Sequence, residues 1–415
     1  MSNVNAGEQN TDTQSGRVVH EIRWSQALPW WILFRAAGSA FAPTVILLAT
    51  LGSLATWSGW SLADRMQLAD VRGANDAAGA IIDSDLVLEP MKDPAGGLIL
   101  PSATGDLSSR SSAIAPSRQA MPALSIVLNR LPQSVLNILQ LVSLPFNPTA
   151  SLQQTVGALA RIGWFILVWS IFGTAITRHV SLKLVGEEAP GLFGSIWYGT
   201  RKWLAAFNSV AFVLLGIVAL SIPGALLGLF MRSDLGLVVA GVLWPLMLAG
   251  AVVLAILAVG IVAGWPLMVA AVGVERGDSF QAISTAFSYL YQRPLHYAFY
   301  GFVALVVLLP SLAAAGIFAD ATSSLAFWAT SYGMGHDRTA VVLEGIRIGP
   351  QGAPLACWGI EALRFWTRGL ESLLSSFAGG YFWAVVTAAY LLLRYDVDGT
   401  ELDEVVLDEP VGDGD

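Results

Sequence analysis

Glu188 and Glu275 are the two acids of this chain that recur in one local setting. Each follows a long apolar run, in Val185-Gly186-Glu187-Glu188 and in Val272-Gly273-Val274-Glu275. Two such carboxylates could line a vestibule that takes a cation or a lipid headgroup. A simpler account places each near the N-terminus of a following helix, where the helix dipole favours an anion. Arg178 and Arg293, with His179 and His296, flank the same runs and could meet anionic lipid phosphates. Ordinary basic flanking of membrane spans is the simpler account for them. Ser170, Thr174, Thr177, Asn208 and Ser209 lie inside apolar runs, where such side chains hydrogen-bond between helices.

Other chemistry has little to work with. The four histidines, His20, His179, His296 and His336, offer no i,i+3 or i,i+4 pair for a metal on a helix. One cysteine, Cys357, allows no disulfide within the chain and no Cys-rich metal site. No phosphate-binding glycine loop, H-E-x-x-H or G-x-S-x-G motif is present. Within the apolar runs no Asp, Glu, Lys or Arg lies deep, as ion-coupled transport usually requires. These readings point to a non-enzyme with no catalytic, cofactor or metal site.

The elements that must position these residues follow from composition. Of 415 residues, 55% are hydrophobic and 13% charged, against roughly 25% charged in soluble domains. With a mean hydropathy of +0.62, the chain belongs in lipid. Its net charge of −8 sits partly in one tail and implies no nucleic-acid partner. About 20 apolar residues cross the hydrocarbon core as a helix. Spans are expected near 40–62, 155–177, 206–230, 242–266, 295–318 and 370–393. Leu235 to Val274 runs 40 residues without a charge, broken by Pro245 and by Gly264-Trp265-Pro266. It reads first as one kinked span and second as two spans with a tight turn. Pro223, Pro245, Pro266 and Pro310 are tolerated in membrane helices and need not be gates.

The expected organisation is a polar disordered tail at 1–22, an interfacial helix and first span at 23–62, and an extracytoplasmic loop at 63–153. That loop reads as flexible chain, then as a surface helix carrying Leu131, Val135, Ile138, Leu139 and Val142 on one face. Hairpins follow at 154–231 and 232–318, a second extracytoplasmic loop at 319–369, the last span at 370–394 and an acidic tail at 395–415. That tail holds nine acids and could be solvated chain or a docking peptide. Basic residues favour the side of the termini, which puts both ends in the cytoplasm of a bacterial inner membrane. Trp57, Trp60, Trp164, Trp203, Trp265 and Trp383 fall near span ends, as interfacial aromatics do.

The segment VGVERGDSFQAISTAFSYLYQRP, residues 272–294, reads as an elbow between spans. Gly277 should end one helix, and Asp278 with Gln281 make a capping-box pattern for the next. Phe280, Ile283, Phe287, Leu290 and Tyr291 fall on one face, so this helix should lie in the interface. Pro294 marks a new helix start. A shift of 87 residues superposes Glu188 on Glu275, Phe193 on Phe280, Ile196 on Ile283 and Pro223 on Pro310. The pattern is a parallel tandem repeat of span, elbow helix and span. Spans one and six could supply a third, split copy.

GWPLMVAAVGVERGDSFQAISTAFSYLYQRP, FGTAITRHVSLKLVGEE and AYLLLRYDVDGTELDEV resemble a broad family of uncharacterised bacterial polytopic membrane proteins. The membrane-embedded domain fused to some glycerophosphodiester phosphodiesterases is similar. The resemblance covers about 250 residues. It implies membrane placement and an all-α bundle of about six spans with interfacial elbows. The catalytic domain of those fusions has no counterpart here, so no catalytic residue carries over. The expected role is a scaffold or accessory subunit that organises lipid or joins a larger membrane complex. Its partners would be membrane lipids, other membrane proteins or further copies of itself. The alternative is a transporter or channel for a lipid-like or uncharged solute.

Overall fold

The computed structural model describes residues 28–66, 152–349 and 353–401. The 1–22 tail, nearly all of the 63–153 loop with its amphipathic stretch, and most of the acidic tail lie outside them. Every regular element among the described residues is helical. A 3-10 turn at Pro29–Trp31 leads into α1 (Ile32–Ala40) and α2 (Pro43–Arg65). Next come α3 (Leu152–Val185), α4 (Leu192–Phe230), α5 (Asp234–Glu275) and α6 (Ser279–Gln292). The chain continues through α7 (Pro294–Met334), α8 (His336–Ile348), α9 (Pro354–Ser375) and α10 (Phe377–Asp398). Six of these, α2, α3, α4, α5, α7 and α10, are long and apolar enough to cross a membrane. The protein is an all-α, multi-pass membrane bundle.

Residues 235–274 form one continuous helix, because Pro245 and Pro266 sit inside α5 without ending it. The expected loop at 319–369 is mostly helical. Helix α7 continues to Met334, and α8 and α9 follow with short breaks. Hydropathy falls at Asp320, yet no proline stands between Pro310 and Pro350, so the backbone has no reason to stop there. Helices α4, α5 and α7 hold 39, 42 and 41 residues, or about 60 Å each. That is twice the roughly 30 Å hydrocarbon thickness, so each must tilt steeply or project past it.

The two hairpins differ at the elbow. In the second, Asp278 caps α6 by accepting from the Gln281 amide at 2.8 Å, and Arg293-Pro294 separates α6 from α7. In the first there is no separate elbow helix, since α4 runs unbroken from Leu192 through the span. Phe207 stands where the shift of 87 residues would put Pro294, and nothing there forces a break. Helix α6 folds back along α5. Gln281 reaches Glu275, and Phe287 and Tyr291 close over Gly260.

The bundle is organised around α3 and α10. Helix α10 touches α1, α2, α3, α5, α6, α7 and α9, and is buried from Phe377 through most of its length. Association in lipid relies on close packing rather than on escape from water, so small residues sit where helices cross. A Cβ on Gly199 would stand 2.3 Å from the Ile171 carbonyl oxygen, and one on Gly273 2.0 Å from Thr177 Oγ1. Glycine therefore lets α4 and α5 press against α3. Gly173 makes the same room for Trp383, and Gly380 for Val45. The first and last spans lie together, with Phe41 and Phe377 ring centroids 4.5 Å apart.

Trp60 and Trp383 are buried between helices rather than facing outward. Trp60 donates through Nε1 to the Arg161 carbonyl at 3.1 Å. Trp383 lies against Trp169 and Trp265, with centroids 5.9 and 5.7 Å away, and Phe165 extends the cluster. The outer half of the α4–α5 hairpin has the opposite character. Leu214, Leu215, Val218, Leu226, Leu235, Val242, Leu246 and Val262 among others are exposed, an apolar surface suited to lipid.

Candidate functional site

Polar side chains converge where α5, α6, α7 and α10 end together at the elbow end of the bundle. Glu275 is the last residue of α5, a position where the helix dipole disfavours an anion. Three neighbours offset this. The Tyr390 hydroxyl donates to Glu275 Oε1, Gln281 Nε2 donates to Oε2 at 3.0 Å, and Arg394 Nε lies 3.7 Å from Oε1. Tyr289 donates to Asp398, and Tyr300 donates to Asp396 at 2.6 Å. Three tyrosines thus hold carboxylates across four helices and fasten the end of α10. Burial pushes the Tyr289 hydroxyl well above its ordinary pKa, and its bond to Asp398 and the nearby Glu275 push it further.

The turn into α6 is made by Arg276, not by Gly277. Arg276 takes the left-handed conformation at φ 60°, and its amide caps α5 through the Val272 carbonyl. Lys202 Nζ donates to the Arg276 carbonyl at 2.7 Å, which ties α4 to this turn. Tyr198 on α4 donates to the Val272 carbonyl at 2.8 Å.

The four residues singled out in the sequence do not form one site. Glu188 lies three residues past the end of α3, exposed, while its counterpart Glu275 still belongs to a helix and is held by side chains. No hydrogen bond or ion pair joins the two among the described residues. Arg293 is exposed at the α6–α7 break. Arg178 is only 1% exposed, with its guanidinium 5.3 Å from the centre of the Tyr198 ring. That burial, among α3, α4 and the close approach of Gly273 on α5, is not the position of a basic residue flanking a span.

One pairing imitates a nucleophile and its base. Ser195 Oγ lies 3.5 Å from His179 Nδ1. The same Nδ1 is 2.9 Å from the Pro190 carbonyl oxygen, which can only accept, so Nδ1 carries the proton. A protonated nitrogen cannot take a proton from Ser195, whose hydroxyl also bonds the Pro190 carbonyl at 3.2 Å. The pair fastens the α3–α4 turn.

Arg161 is a charge inside a span, though near its start and not deep in it. It sits inside the expected span 155–177, is buried, and pairs with Asp64 at the end of α2. An arginine in the apolar run, opposite an acid just past the first span, was visible in the sequence. Their pairing was not, because 97 residues separate them. Ser170 and Thr177 bond back to carbonyls of their own helix, at 2.7 and 3.1 Å. Thr174 is fully buried. Among the described residues no three His, Cys, Asp or Glu side chains cluster as metal ligands would.

No family model, no curated protein and no solved structure matches the chain.

Proposed function

We propose that the protein is a non-enzymatic integral membrane protein, a scaffold or accessory subunit that organises lipid or joins a larger membrane complex. The observation that carries this reading is the filled centre of the bundle. Phe165, Trp169, Trp265 and Trp383 meet where α3, α5 and α10 pass, with ring centroids between 5.5 and 6.2 Å apart. A conduit needs a polar-lined path through that level. Aromatic rings stand in its place, and the Ser170 and Thr177 hydroxyls that would line it bond to their own backbone. The large exposed surface of the α4–α5 hairpin is apolar and suits lipid or another membrane protein.

The finer placement rests on the residues. The basic bias favours cytoplasmic termini in a bacterial inner membrane. The 87-residue correspondence favours a parallel hairpin repeat within the uncharacterised family that the elbows resemble. Membrane lipids, other membrane proteins or further copies of the chain are the partners this role needs.

Purification in mild detergent and reconstitution test the reading. A defined lipid or protein should remain with the chain, and proteoliposomes should stay impermeable to small uncharged solutes. Flux that disappears in Ser170→Val or Thr174→Val would overturn it in favour of a transporter.

A further inference from the structure

Helix α9, Pro354–Ser375, divides its residues cleanly by chemistry. Leu355, Trp358, Phe365 and Trp366 share one face, at spacings of three, seven and one residues. They are 88%, 81%, 67% and 73% exposed, among the most exposed large apolar side chains described. The other side is where the helix meets protein. Ile360 is buried against Gly345 of α8, where an added Cβ would stand 2.9 Å from it. Arg364 is turned inward beside Gly349 and pairs with Glu361 at 3.8 Å. Helix α9 also packs on α7 and α2. Arg364 therefore lies on the protein side while the aromatic face points away from it, the reverse of a water-facing helix.

The place of the helix in the chain says what lies on that face. Ser376 alone separates α9 from α10. The uncharged stretch of α10, Phe377 to Leu393, makes about 26 Å of helix, close to the roughly 30 Å hydrocarbon thickness. Its first residue, Phe377, therefore stands near one hydrocarbon boundary, and α9 ends at that level. A helix at this depth that aims two tryptophans, a phenylalanine and a leucine outward has acyl chains as its natural surroundings. Tryptophan prefers the headgroup boundary, and the exposed Arg368 can reach lipid phosphate from there. The neighbouring α7 also exposes large apolar side chains, Phe318, Leu325, Trp328 and Tyr332.

We propose that α9 is an interfacial membrane-binding helix, with Leu355, Trp358, Phe365 and Trp366 inserted into the lipid leaflet at the end of the bundle opposite the elbows. The occupant of the face is lipid, not a second copy and not another protein. This rests only on the multi-pass placement and is independent of the scaffold reading.

Cys357 is the only cysteine, so a Cys357→Ser background accepts single labels. Trp358→Cys, Phe365→Cys and Trp366→Cys each carry a nitroxide on the full-length protein in phosphatidylcholine vesicles. Collision rates with oxygen, which concentrates in lipid, are compared with those of a water-soluble nickel chelate. Leu246→Cys on exposed α5 is the lipid standard, and Glu188→Cys the aqueous one. All three α9 labels should match Leu246→Cys, with oxygen collisions in excess over nickel. Nickel excess, as at Glu188→Cys, places the face in water and overturns the proposal. Low collision rates with both reagents mean that protein covers the face, and overturn it too. The three label sites are well exposed, so at least one monodisperse variant is expected, and one is enough to decide.

Discussion

The Tyr390 hydroxyl donates to Glu275 Oε1 across 115 residues of sequence, joining the last turn of α5 to the middle of α10. This bond makes Glu275 a fastening between the second hairpin and the last span. Glu188, its sequence counterpart, is free of that duty.

Removing the bond should destabilise without altering the fold. Tyr390→Phe leaves the partly buried carboxylate oxygen short of one donor, which costs about 1 kcal/mol. In a double-mutant cycle with Glu275→Gln, the second substitution should cost less once the first is made. Thermal unfolding in detergent measures both, and strictly additive losses would refute the fastening.

The glycines at the α3 crossings are predicted to be intolerant of one methyl group. Gly199→Ala drives a Cβ toward the Ile171 carbonyl, and Gly273→Ala toward Thr177, with the backbone of α3 behind it. Overpacking of this kind costs about 1–3 kcal/mol. Gly216→Ala and Gly250→Ala meet nothing within 4 Å and should be neutral or slightly stabilising, by up to about 1 kcal/mol. Melting temperatures of the four variants should fall into two groups.

Asp64 and Arg161 form an ion pair whose arginine is buried. Breaking such a pair from one side costs about 3–5 kcal/mol, whereas replacing both partners by apolar groups is often neutral. Asp64→Leu should therefore reduce the yield of folded protein sharply, and Arg161→Met in the same chain should restore it. A double variant as poor as the single one would argue that Arg161 is held by other groups.

High pH should loosen the elbow end. The Tyr289 pKa is raised by burial and then by Asp398 and Glu275, so folding favours the protonated phenol. For an acid shifted upward the stabilisation is complete below the unfolded value, about 10 for tyrosine, and is lost as pH rises beyond it. Tyr291 is raised by burial as well and adds with the same sign. Unfolding midpoints followed from about pH 9 to 11 should fall less steeply in Tyr289→Phe than in the parent protein. Equal slopes would count against the Tyr289 bond.

Several elements were legible in the residues because they rest on local physics. Long apolar runs located all six spans, and Asp278 does cap α6. The first reading of 235–274 as a single span matches α5, whereas hydropathy failed on backbone continuity at 319–369, since a helix ends for want of backbone partners and not for want of apolar side chains. The elbow of the first hairpin was lost for a related reason. Its amphipathic pattern resembles that of α6, but without a proline at Phe207 the helix simply continues.

By itself the sequence determined that this chain is an all-α membrane bundle, because hydrophobic length and helix propensity are properties of neighbouring residues. The tertiary structure alone decided which polar groups act together. It paired Glu275 with Tyr390 and Asp64 with Arg161, buried Arg178, and left Glu188 and Arg293 apart. Partners 97 and 115 residues apart meet only when helices cross, and glycines such as Gly199 and Gly273 set how closely those helices approach. A side chain's partner depends on which helix lies against it, and no local pattern encodes that.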